Sequence, residues 1–233
     1  MTETGASLTW TMLSIMYFGD VVFAVSGALT AGRYNMDIVG FVLIGTVTGI
    51  GGGTIRDLLL GRTVWWTQSP AELILCVVAS VITFIFLPKR IARDKWLPWL
   101  DALGLASFCV VGCHVALSLD APFVVAVFMG TITATGGGVI RDILTNTQPM
   151  ILCGQLYATA ALAGATLYAI VSRFFPGTGA YAELAGFVTA FGIRGASLLF
   201  DIRTGPPGKF LSSGPPRSEE KQKSAAIHDR MSK

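Results

Sequence analysis

The sequence predicts an all-α integral membrane protein of seven transmembrane helices, built as two inverted three-helix repeats plus a seventh helix. Three observations predict it. Hydrophobic residues make up 52% of the 233-residue chain against 13% charged, with a mean hydropathy of +0.63. Apolar runs near the ~20 residues needed to cross a bilayer recur along the whole chain and leave no room for a separate soluble domain. The segment Gly51-Gly52-Gly53-Thr54-Ile55-Arg56-Asp57 returns 85 residues later as Gly136-Gly137-Gly138-Val139-Ile140-Arg141-Asp142.

The duplication extends well beyond the motif. At the fixed 85-residue offset and without a gap, residues 19–59 match residues 104–144 at 17 of 41 positions, including Gly19/Gly104, Phe23/Phe108, Gly27/Gly112, Gly45/Gly130 and Thr48/Thr133. Each copy holds three spans. An odd number makes the second copy enter the membrane from the opposite side, which is an inverted-topology repeat.

In chain order, the run from Leu8 to Ala31 is too long for a signal h-region and is expected to be a retained first span. The second span is expected over Ile38 to about Leu60 and the third over Ala71–Leu87, ending repeat one (8–87). Pro88 to Lys95 is a polar, basic connection. The fourth span is expected from about Leu100 to Leu119, the fifth from Phe123 to about Leu144 and the sixth over Met150–Phe174, within repeat two (97–174). Pro176-Gly177 turns the chain into the seventh span, Tyr181–Phe200 (181–200). These elements form one membrane domain, 1–200; beyond it, residues 201–233 are rich in Pro, Ser, Gly and charge and are expected to be disordered.

Lys and Arg set the orientation. Seven spans put Arg33, the Lys89–Lys95 cluster, Arg141 and the tail on one face, and Arg62, Arg173 and Arg56 toward the other. The first face is therefore cytoplasmic, with the N-terminus outside and the C-terminus inside, as in a bacterial inner membrane. Trp10, Trp65, Trp66, Trp96 and Trp99 fall near span ends, as interfacial anchors do. The net charge of +3 resides in the tail, and nucleic acid is not implied as a partner.

Three consecutive glycines inside a span each cost roughly 1 kcal/mol relative to Ala, so helices two and five are expected to break at Gly51–Gly53 and Gly136–Gly138. Unwound backbone at that depth is tolerated only where it is buried in protein or lines a wet cavity. The triplets therefore point to a solute pathway, and close helix packing is the competing explanation. Arg56, Asp57, Arg141 and Asp142 follow the breaks, where charge is expensive and faces protein or water. The aspartates equally suit a structural cap on a new half-helix. Asp20 lies mid-span in helix one and aligns with Leu105, while Asp101 aligns with Met16. Asp101 is the expected partner of Arg141. Asp20 has Arg56 or, from the seventh span, Arg194 within possible reach. Thr48 and Thr133 precede the breaks and can satisfy backbone or line a polar path.

Cys109, Cys113 and His114 lie within one and a half helical turns but have no acidic or second His companion nearby, so no metal site is expected. No nucleophile–base set, P-loop or HExxH pattern is present, which argues against an enzyme.

The two Gly-Gly-Gly-x-Ile-Arg-Asp copies, Phe-Ala-x-Ser-Gly at Phe23–Gly27, Asp-Ala-x-Gly-Leu at Asp101–Leu105 and the arginine in the last span resemble the bacterial relatives of the TRIC-type trimeric intracellular cation channels. The resemblance spans about residues 10–200. It implies a homotrimer with a separate K⁺-permeable pore in each protomer around helices two and five. Animal members carry a lysine-rich inositol-lipid site, and this chain has Arg-Asp at that point instead. The resemblance implies no cofactor and K⁺ (with Na⁺) as the permeant ion, with membrane lipids as partners. Relatives also carry a glycine-transporter label, so the alternative is a secondary transporter of a small amino acid, which inverted repeats serve equally well. A non-conducting scaffold is the third expectation, and it leaves Asp20, Arg56, Arg141 and Arg194 with no role beyond packing.

Overall fold

The computed structural model describes residues 10–86, 96–153, 156–175 and 177–202. Within them the chain is all helical: α1 (Trp10–Arg33), α2 (Ile38–Leu59), α3 (Trp65–Gln68), α4 (Ala71–Phe86), α5 (Leu97–Ser118), α6 (Phe123–Leu144), a 3₁₀ turn (Met150–Leu152), α7 (Ala158–Phe174) and α8 (Gly179–Phe200). Five of these, α1, α2, α5, α6 and α8, are long and apolar enough to span a bilayer; α4 and α7, at 16 and 17 residues, are apolar but shorter.

The turns obey the duplication even where the residues differ. Asn35 ends α1 at φ 51° and Asp120 ends α5 at φ 56°; Gly61 ends α2 at φ 65° and Asn146 ends α6 at φ 52°. Each pair is separated by 85 residues, and each uses a residue that tolerates the left-handed region. The matching backbone bonds run from Met36 to Ala31 (3.2 Å), Ala121 to Ala116 (3.1 Å), Arg62 to Asp57 (3.0 Å) and Thr147 to Asp142 (2.8 Å).

The core lies between α1 and α5 on one side and α2 and α6 on the other, with α4 flanking the first repeat and α7 and α8 flanking the second. Phe23 of α1 and Phe108 of α5 sit 5.3 Å apart, centroid to centroid. A Cβ on Gly104 would run into Phe23, and one on Gly19 would reach Phe108 at 3.2 Å. Such reciprocal contacts, residue i to j and j to i, are the mark of a two-fold relation between the repeats.

The structure corrects two expectations. Helices two and five are not broken: α2 and α6 run continuously through Gly51–Gly53 and Gly136–Gly138. The glycines serve the crossing of these two helices. A Cβ on Gly52 would land on the carbonyl oxygen of Thr133, and one on Gly137 on that of Thr48. Close approach with tertiary packing outweighs the propensity cost of three glycines. The apolar helix expected over Met150–Phe174 starts at Ala158, because Pro149 is followed by only a 3₁₀ turn. The chain between α2 and α4 forms an extra helical turn, α3. The basic connection 88–95 and the tail from 203 onward lie outside the described residues.

Candidate functional site

Two Arg–Asp clusters occupy equivalent places in the two repeats. In the first, Asp57 Oδ1 accepts from Arg56 Nε at 2.9 Å and meets Arg56 Nη2 at 2.8 Å, and its Oδ2 accepts the backbone N–H of Trp65 at 3.0 Å. In the second, Asp142 Oδ1 accepts from Arg141 Nε at 2.9 Å and its Oδ2 accepts the N–H of Met150 at 3.1 Å. With α2 and α6 unbroken, neither aspartate caps a second half-helix. Each instead ties its own arginine to the first residue of the short turn eight residues on, so the fold of the following loop depends on it.

Around this common frame the clusters differ. The Arg141 cluster is sealed: Arg141 and Asp101 are both 0% exposed, and Arg141 Nη1 donates to Asp101 Oδ1 at 2.8 Å and to Ser26 Oγ at 2.7 Å. The pairing of Asp101 with Arg141 is thus in place, and Ser26 joins it from the other repeat. Arg194 lies over the ring of Tyr157, 5.1 Å from its centroid, and Gly138 has both Tyr157 and Asp101 as neighbours. Arg194 therefore belongs to this cluster and is not the partner of Asp20, because the end of α8 packs beside α5 and α7.

The Arg56 cluster is open. It borders a small cleft of about 40 Å³, whose lining includes Asp20, Gly53, Arg56, Asp57, Trp65 and Glu72. Asp20 and Arg56 share this cleft, but no ion pair within 4 Å joins them. Arg62 approaches Asp57 at 3.7 Å and the Trp65 ring at 5.9 Å, and Trp66 Nε1 donates to Thr54 Oγ1 at 2.9 Å. Trp65 and Trp66 therefore have a part in the site in addition to any anchoring role.

The clusters lie at different depths. On α1, Met16 and Asp20 belong to the cleft and Ser26 to the sealed cluster; on α5 the order is reversed, Asp101 in the sealed cluster and Phe108 at the cleft. At 1.5 Å per residue, Asp20 and Ser26 are about 9 Å apart along α1. Between the two clusters lies the α2–α6 crossing. Gly51, Gly52, Gly136 and Gly137 pack there, while Gly53 faces Arg56 and Gly138 faces Tyr157 and Asp101. Thr48 and Thr133 are fully buried, each donating its hydroxyl to its own helix at 2.6 Å, to Ile44 and Met129 respectively. They sit against Gly27 and Gly112, so in this conformation they serve the packing of α2 on α1 and of α6 on α5.

Cys109 and Cys113 bond backbone carbonyls, and His114 Nδ1 lies 2.7 Å from Tyr168 Oη. Among the described residues no group of metal-binding side chains forms. The sequence reading did not single out Glu72, Tyr157 or Ser26. The offset holds a signal for the first two, since Glu72 aligns with Tyr157 and is an acid at the start of an apolar run.

Comparison with known proteins agrees with this architecture. A family model described as "Glycine transporter" matches twice, over residues 13–88 and 98–173. The UPF0126 inner membrane protein YadS of Escherichia coli K12 is 40% identical over 187 residues, covering 79% of this chain and 90% of that protein. The solved TRIC trimeric intracellular cation channel orthologue of Rhodobacter sphaeroides is 45% identical with a TM-score of 0.78, covering 83% of this chain and 100% of that one. A second solved TRIC cation channel is 35% identical with a TM-score of 0.74, covering 83% and 95%. With a family match over most of its length and the same fold as these relatives, the chain belongs to the UPF0126 family of membrane proteins, the family of the TRIC channels.

Proposed function

We propose that the chain is a passive cation channel that conducts K⁺, with Na⁺ as a second permeant ion. It works as a homotrimer with one pathway through each seven-span protomer, α4 and α7 completing the spans. The observation that carries this reading is the pair of buried Arg–Asp clusters at two depths of one helix crossing, one beside an open cleft and one sealed. Intramembrane charge of this kind marks an ion path more often than a fold needs it. The similarity to solved TRIC channels supports the same reading. The apolar outer faces, among them Val39, Leu43, Ile82, Ile85 and Phe128, are left to lipid and to neighbouring protomers.

Planar-bilayer recording on protein whose mass in detergent corresponds to three chains tests the proposal. Discrete currents that reverse at the K⁺ equilibrium potential are expected. Saturable glycine uptake into vesicles without such currents would replace the channel by the amino-acid transporter.

The orientation has its own test. With α1 entering from outside, the cleft opens to the periplasm and the Arg141 cluster lies toward the cytoplasm. A reporter fused after Lys233 is expected to work only if it is a cytoplasmic type, and activity of a periplasmic reporter there would reverse the assignment.

A further inference from the structure

We propose that the cleft of the first repeat is a binding station for one monovalent cation, held by the carboxylates of Asp20 and Glu72, with no equivalent in the second repeat. Its place in conduction rests on the channel reading; its existence as a site does not.

The geometry comes from α4 packing on α1 and α2. The buried face of α4 carries Glu72, Cys76, Ala79 and Ser80. Cys76 Sγ lies 3.7 Å from the Asp20 carbonyl and occupies the space left by Gly49, which fixes this stretch of α4 against the Asp20 turn of α1. Glu72, one helical turn earlier, therefore lines the same cleft as Asp20. The two side chains are only 4% and 3% exposed; the Glu72 carboxylate faces the ring N–H of Trp65, while Asp20 Oδ2 has no hydrogen-bond partner. A buried carboxylate without a partner is costly, more so in a membrane. A cation entering through the mouth removes that cost.

The charges around the cleft set the valence. Asp57 is already engaged by Arg56, Arg62 and the Trp65 N–H. With all three carboxylates ionised, they exceed the two guanidinium groups by one negative charge. One K⁺-like ion balances it. Divalent calcium takes 6–8 oxygen ligands and usually more carboxylate charge, and no cluster of three metal-binding side chains forms among the described residues. In the second repeat the offset replaces Asp20 by Leu105 and Glu72 by Tyr157. There Asp101 and Asp142 are matched by Arg141 and Arg194, so no negative charge is left over.

Thallous ion, a K⁺ substitute visible by anomalous scattering, tests the site in crystals of the full chain. A peak between Asp20 and Glu72 is expected, absent in the near-isosteric Glu72→Gln and weakened in Asp20→Asn. No peak in the wild-type cleft, or one unchanged in both variants, overturns the proposal. In bilayers Glu72→Gln is expected to raise the K⁺ concentration for half-maximal conductance about tenfold, as loss of a focusing charge does. A peak in protein that passes no K⁺ current refutes the channel and keeps the site. K⁺ currents from protein without the peak refute the site alone.

Discussion

Gly52→Ala and Gly137→Ala are each expected to destabilise the protein by about 1–3 kcal/mol, the cost of forcing a methyl into a packed interior, while Gly53→Ala is neutral or stabilising. A Cβ on Gly52 meets the Thr133 carbonyl oxygen and, at 3.3 Å, the backbone nitrogen of Gly137; a Cβ on Gly137 meets the Thr48 carbonyl oxygen. Those atoms are backbone in the middle of a helix. They yield only if α2 and α6 move apart. Gly53 differs: its nearest obstacle is the far end of Arg56, Nη2 at 3.7 Å. There Ala recovers up to about 1 kcal/mol of helix propensity. Thermal unfolding in detergent reads the pattern, and equal damage at Gly52 and Gly53 would show that the triplet acts as a unit and not through one contact. Gly52→Leu, with far more to accommodate, is expected to lose K⁺ flux through misassembly of the crossing and not through repair of a broken helix.

The triplet also marks where sequence reasoning succeeded and where it stopped. Its repetition located the two-fold relation, because identity at a fixed offset is independent of conformation. What the glycines do was not legible. Propensity treats a helix as isolated, and the contacts that keep these helices whole, Gly52 with Thr133 and Gly137 with Thr48, come from the other repeat. The turns were legible in kind only. Asn35 and Asp120, or Gly61 and Asn146, do not match as letters, yet each satisfies the same left-handed requirement. Among the charges, Asp101–Arg141 followed from the expected orientation, since both fall toward one face. Arg194 was open as an alternative partner for Asp20, because one intramembrane arginine in a terminal helix has no repeat partner to place it, and it lies over Tyr157. Glu72 was passed over as an ordinary acid at a span start. Only its burial beside Asp20 gives it meaning.

Arg141→Ala is expected to be the most damaging single change in the protein, costing about 3–5 kcal/mol, the range for removing one partner of a buried ion pair. Whether its loss leaves an attractive negative mouth or an unstable core depends on water, and the structure places Arg141 in a dry setting. Arg141 and Asp101 are 0% exposed, and the arginine also joins Ser26 of the first repeat to Asp142 of its own helix. Without it Asp101 loses its ion-pair partner at 2.8 Å. Lys is no substitute, since one ammonium does not reproduce the planar fork that holds three partners at once. Arg56→Ala is expected to cost less, because Asp57 retains Arg62 and the Trp65 N–H and borders an open cleft. Denaturation of both variants in the same detergent measures the difference, and Asp101→Asn added to Arg141→Ala is expected to restore part of the loss by removing the stranded charge. If Arg141→Ala instead unfolds like wild type and conducts more K⁺ from the cytoplasmic side, this end of the pathway is wet, and Arg141 acts there as a gate and not as a structural pin.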